Sequence, residues 1–124
     1  MPHDTGKQAD LFLRCLESRD FDAARAMCAE AAVVWQNDGE GEQPLRERLN
    51  RFESFAEGVV SMRYEVLRQF PKPTEVLQQQ VLHLTLSDGT SSEGPATVYF
   101  RFTGDLIDRV EECLYTVPAE QGTP

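Results

Sequence analysis

From Ser61 onward the chain is a succession of long runs in which apolar and polar residues alternate, and few architectures accept such a pattern. Alternation with a period of two is the signature of half-buried β-strands. Ser61 to Phe70 places Met62, Tyr64, Val66 and Phe70 on one face, and Pro71 and Pro73 punctuate it. Glu75 to Leu86 forms a second long run and ends at Ser87-Asp88-Gly89-Thr90, a strong turn signal. Ala96 to Thr103 follows, with Val98, Phe100 and Phe102 sharing a face. Gly104-Asp105 then turns the chain into a last run, Leu106 to Val117. Consecutive strands joined by short turns make an antiparallel sheet, and one face of it needs a cover.

The first half supplies that cover. Ala9, Phe12, Leu13 and Leu16 recur at helical spacing between Lys7 and Ser18. Asp20 is suited to cap a second helix running to about Ala29, which would bury Phe21, Ala24, Met27 and Cys28. Residues 31–35 form a short β-rich run ending at Trp35, and residues 36–43 form a polar loop. Pro44 suits the first position of a third helix, whose stripe is Leu45, Leu49, Phe52, Phe55 and Ala56. Gly58 is placed to end it. The expected fold is α+β: three N-terminal helices packed on a curved antiparallel sheet that forms a cone-shaped half-barrel with a pocket. The domain is expected over residues 7–117, with residues 1–6 and 118–124 as flexible termini.

The net charge of −9 opposes nucleic acid and anionic membrane surfaces as partners, because phosphates need compensating Lys and Arg. Three widely spaced cysteines, Cys15, Cys28 and Cys113, form no CxxC pair, and His3 and His83 lie far apart. Neither a disulfide framework nor a metal site is expected, and reduced thiols suit a cytoplasmic location. No Gly-rich phosphate loop or nucleophile motif is present, so no cofactor is expected.

Two runs resemble a known family. Residues 17–22 followed by 27–35 (MCAEAAVVW) resemble the opening of SnoaL-like proteins, and residues 98–114 (VYFRFTGDLIDRVEECL) resemble their last hairpin. These proteins belong to the nuclear transport factor two-like superfamily. The resemblance implies a cone with a pocket at its open end, commonly a homodimer through the outer sheet face. Members include polyketide cyclases, steroid isomerases, dehydratases and epoxide hydrolases. The oxyanion-stabilising Tyr of the isomerases falls near Phe12, and their general-base Asp falls near Gln36. The acidic and polar pocket positions of the cyclases fall on Tyr115 and Val98. Phe cannot donate a hydrogen bond and Gln cannot take a proton at neutral pH, so neither chemistry transfers intact.

The residues nominate their own candidates. Asp38, nearest to the isomerase-type base position, sits with Asn37 at the expected pocket rim, although Asp38-Gly39 also reads as a simple turn. His83 is a general base if it faces the cavity, and otherwise lies on the outer, dimer-forming face. Glu111 and Glu112 point to opposite faces, so one carboxylate turns inward, and Glu112 is the candidate. An inward carboxylate in an apolar cone has a raised pKa and can act as acid or base. Trp35, Phe52, Phe55, Tyr64, Val98, Phe100 and Tyr115 are candidate lining residues, and the aromatics among them equally suit a plain core. Gln78 and Gln80 share a face in a strand centre, where buried amides need partners in a ligand or an interface. The reading is a protein that binds a small, mostly apolar molecule. As an enzyme it would be a cofactor-free isomerase, cyclase or lyase working by proton transfer. The alternative is a non-catalytic homodimeric interaction or regulatory module with a filled cavity.

Overall fold

The structure is a computed structural model that describes residues 4–115. The elements are α1 (Thr5–Glu17), α2 (Phe21–Ala26), β1 (Cys28–Gln36), β2 (Glu42–Pro44), α3 (Leu45–Ala56), β3 (Val59–Pro71), β4 (Glu75–Leu86), β5 (Ser91–Thr103) and β6 (Leu106–Leu114). Six strands form one curved open sheet in the order β2-β1-β6-β5-β4-β3. Consecutive strands from β3 to β6 pair antiparallel, as their short turns require. β1 pairs parallel with β6, so the sheet is mixed where an antiparallel one was expected. α3 and four strands separate these two in the chain, so no hairpin dictates their direction.

α1 lies over β3 and β4, and α3 lies over β1. The core between helices and sheet holds Phe12, Leu13, Leu16, Phe21, Leu45 and Leu49 against Val34, Val76, Val98, Phe100, Phe102 and Ile107. Phe12 meets Phe100 edge-on at 6.1 Å and Phe21 meets Phe52 edge-on at 6.0 Å, geometries that add to simple burial.

Local chemistry explains where the elements depart from expectation. α1 starts at Thr5, inside the segment read as a flexible terminus, because the Asp4 carboxylate caps Lys7 N–H at 3.1 Å. The Thr5 hydroxyl also donates to Lys72 O at 2.7 Å. α2 stops at Ala26 rather than near Ala29, because Met27 O accepts Ile107 N–H at 2.9 Å and Cys28 already pairs with β6. Pro44 is the cap of α3, not its first residue, and its extended backbone closes β2 against Val33. β3 carries a bulge between Val66 and Arg68. One extra residue reverses the facing of everything beyond it. Gln69 therefore turns inward opposite Gln78, and Phe70, expected on the inner face, is 58% exposed opposite Leu77. The end of the expected last strand, Val117, lies outside the described residues. Among the described residues no helix is long and apolar enough to cross a membrane.

Candidate functional site

The concave face of the sheet is apolar except for a few side chains, and the strand register says which. Gln78 pairs with Val98, and Val98 with Glu112. Val98 is buried, so Gln78 and Glu112 share its inner face. Gln80 faces inward one step along, 4% exposed, with the small Ala96 beside it on β5. Gly94 continues that low track. A Cβ placed on it would meet nothing nearer than Leu82 O at 4.0 Å. Tyr64 stands on β3 next to Leu82 and is 8% exposed.

Glu112 is the inward carboxylate. It is partly buried, and the parallel register sets it beside Gln36, whose amide N–H donates to Glu112 Oε1. Burial raises the Glu112 pKa above the ordinary carboxylate value, while the Gln36 hydrogen bond and the Arg48 guanidinium oppose the rise. The Tyr64 hydroxyl is raised strongly, by burial first and then by the charges of Glu112 and Glu17, so it stays a protonated donor. Among the described residues neither Glu112 Oε2 nor Tyr64 Oη has a hydrogen-bond partner. Their backbones are firmly held. Tyr64 N–H donates to Glu17 Oε2 at 2.6 Å, and Asn37 exchanges two hydrogen bonds with the Leu114 backbone at 3.0 and 3.1 Å.

Five expected site residues therefore meet on the inner face: Tyr64, Gln80, Val98, Phe100 and Glu112. Others do not join them. His83 lies on the opposite, convex face, where its ring nitrogens sit 2.9 Å from Glu65 and 3.2 Å from Glu93. β4 alternates without interruption from Gln80 to His83, so an inward Gln80 forces an outward His83. Trp35 pairs with Glu111 and Glu42, one residue out of phase with Gln36, and so it too faces outward. Tyr115 is exposed, and its hydroxyl meets Thr97, which also belongs to the convex face. Asp38 stays in the loop. It accepts from Glu40 N–H at 3.0 Å, which lowers its pKa, and reaches Arg48 at 3.4 Å. Phe52 packs against the core, whereas Phe55, stacked on it at 5.9 Å, is 47% exposed.

Sequence reasoning passed over Arg48 as a site residue and took Gln36 only as a failed base. Arg48 hydrogen-bonds Gln43 at 3.0 Å, and its Nε is buried without a partner among the described residues. A signal existed for Gln36: residues 34 and 36 share parity, and Val34 is a natural core residue. Phe12, at the isomerase Tyr position, is core.

A curved mixed sheet with helices laid across its concave face is the fold this chain shares with nuclear transport factor two-like proteins of known structure. Solved structures carry the comparison further. A nuclear transport factor two-like protein from Anabaena variabilis superposes with a TM-score of 0.76 at 19% identity, covering 91% of this chain and 87% of that one. A SnoaL-like protein from Shewanella putrefaciens gives 0.75 at 10% identity, covering 88% of each chain. An epoxide hydrolase from M. tuberculosis gives 0.74 at 16% identity, covering 88% of this chain and 80% of that one. No protein-family model matches the chain, and no curated protein sequence matches it.

Proposed function

We propose that this protein binds a small, mostly apolar molecule in the cone and moves a proton on it with Glu112, as a cofactor-free isomerase, cyclase or lyase. The observation that supports this is the pairing of Glu112 with Tyr64. A partly buried carboxyl with a raised pKa and a protonated phenol lie on the same largely apolar concave face, each with a polar atom that meets no hydrogen-bond partner among the described residues. A carboxyl whose pKa rises toward neutrality is suited both to take and to return a proton. The Tyr64 hydroxyl is suited to donate to an oxygen on which charge develops. Gln36 holds the carboxyl in place. The superposition on an epoxide hydrolase is in keeping with small-molecule chemistry in such a cone. The free thiols of Cys15, Cys28 and Cys113 suit the cytoplasm.

A thermal-shift screen of steroid-like and polyketide-like compounds tests the reading. A ligand of the folded state raises the melting temperature. Hits are expected to bind at the inner face and to be turned over by the wild type but not by Glu112→Gln. Absence of any hit across the panel would refute it.

A second reading, a homodimeric module with its cone filled by its own side chains, needs a dimerisation face, and the convex face offers one. Phe70, Leu77 and Tyr99 form a continuous row there, with Phe70 58% and Leu77 46% exposed, beside a hollow of about 250 Å³. Dimerisation through this row is compatible with either reading. Sedimentation of the wild type and of Leu77→Lys tests it, with a dimer expected for the first and a monomer for the second.

A further inference from the structure

Four side chains form a chain of hydrogen bonds that runs from the edge of α1 into the hollow. It begins at the Asp10 carboxylate, which has no proton to give and accepts from Gln69 Nε2 at 3.2 Å. The same nitrogen donates to Gln78 Oε1 at 2.9 Å. Gln78 Nε2 then donates to Gln80 Oε1 at 2.8 Å. Each amide has one accepting and one donating end, so the direction set at Asp10 passes inward without choice. The chain ends with the Gln80 NH₂, which has no acceptor among the described residues although Gln80 is 4% exposed. That nitrogen is not one of the fully buried unpaired side-chain atoms of the described residues, so a ligand oxygen can reach it, beside the small residues Ala96 and Gly94.

We infer that this relay makes Gln80 a specificity-determining residue that reads a carbonyl oxygen on the ligand. Gln80 and Glu112 stand on strands separated by β5 alone and are two residues out of register, so their backbones are about 12 Å apart. A cyclic or bicyclic carbonyl compound spans that gap, with its oxygen on Gln80 and its reacting edge toward Glu112. The inference rests on the pocket proposed above and adds to it the ligand class. Gly6 is a remote positioning residue of the relay. A Cβ added there would stand 2.5 Å from Gln69 Oε1, so even alanine displaces the amide.

The test uses two probes of one shape, 1-indanone and indane, titrated into ¹⁵N-labelled full chain and followed by NMR. The wild type is expected to bind indanone about fivefold more tightly than indane, within the range one net hydrogen bond supplies. The Gln80 side-chain NH₂ signal is expected to move with indanone only. Gln80→Met is expected to abolish the preference, by lowering indanone affinity and by removing the amide that indane leaves unpaired. Gly6→Ala is expected to reduce the preference for indanone while indane still binds, because the displaced Gln69 no longer fixes the orientation of the Gln78 and Gln80 amides. A merely structural role would weaken both probes alike. If both probes shift the Tyr64 and Val98 signals equally, or the preference survives Gln80→Met, the inference is overturned and the pocket stands. An unchanged preference in Gly6→Ala would overturn the relay. If neither probe moves Tyr64 or Val98, the pocket itself fails and the inference falls with it.

Discussion

Replacing Glu112 by Gln is expected to make the protein more stable at alkaline pH while abolishing the proton transfer proposed for it. The native state holds the Glu112 proton more tightly than the unfolded chain, because burial outweighs the Gln36 hydrogen bond and the Arg48 charge. As pH rises from the ordinary carboxylate range to the raised native value, the native state binds more protons than the unfolded state, so stability falls. Each tenfold rise in native proton affinity costs the ionised native state about 1.4 kcal/mol. Burying an ion costs several kcal/mol even after relaxation, and partial exposure reduces that figure. Against this, Glu112→Gln exchanges a charge-assisted hydrogen bond from Gln36 for a neutral one, a loss of about 1 kcal/mol. The net gain at pH 8 is about 2 kcal/mol, or about 8 °C in melting temperature for a chain of this length. At pH 4 both carboxyl and amide are neutral, and the difference shrinks to less than about 0.5 kcal/mol. Urea denaturation of both proteins at pH 4, 6 and 8 measures it, since the other titrating groups cancel in the comparison. A variant less stable than wild type at pH 8, or a difference that does not change with pH, would refute the reasoning.

Other perturbations separate site from scaffold. Tyr64→Phe removes a hydroxyl without a partner and leaves the backbone bond to Glu17 intact. Its stability is expected within about 1 kcal/mol of wild type, while affinity for any cone ligand falls several-fold by calorimetry. Phe100→Ala opens a cavity under Phe12 in the core and is expected to cost about 3–5 kcal/mol in urea titrations. Burial pushes the Cys28 thiol up to about 12, against the weaker pull of Arg46. Cys28 is expected to resist Ellman's reagent at pH 8 in the native protein and to react only when urea unfolds it.

What could be read from the sequence was whatever depends on local order. The limits of β4 at Glu75 and Leu86 follow from flanking prolines and a turn, and the structure repeats them. The stripe from Leu45 to Ala56 is a helix because its spacing is a property of twelve consecutive residues. The facing of Phe70 was lost to a bulge between Val66 and Arg68, which no local signal announces. The facing of His83 was in principle legible, since an unbroken strand ties it to the parity of Gln80. The site itself was the least legible part, because it is made by register between distant segments. Gln36 and Glu112 are 76 positions apart and meet only through a parallel pairing between strands that no turn connects. That register has a chemical consequence. A slip of β6 by one residue would turn Glu111 inward and Glu112 outward. Glu111 is held by Arg109, 2.6 Å away, which itself reaches Glu42 at 2.7 Å on the convex face. The slip would carry Arg109 and Glu111 together but would break the cross-strand pair of Arg109 with Glu42, and it would also separate Gln36 from its carboxylate and Asn37 from the Leu114 backbone. The outward Arg109–Glu42 salt bridge and the inward hydrogen bond thus favour the same register, and the carboxylate that enters the cone is chosen by contacts on both faces of the sheet.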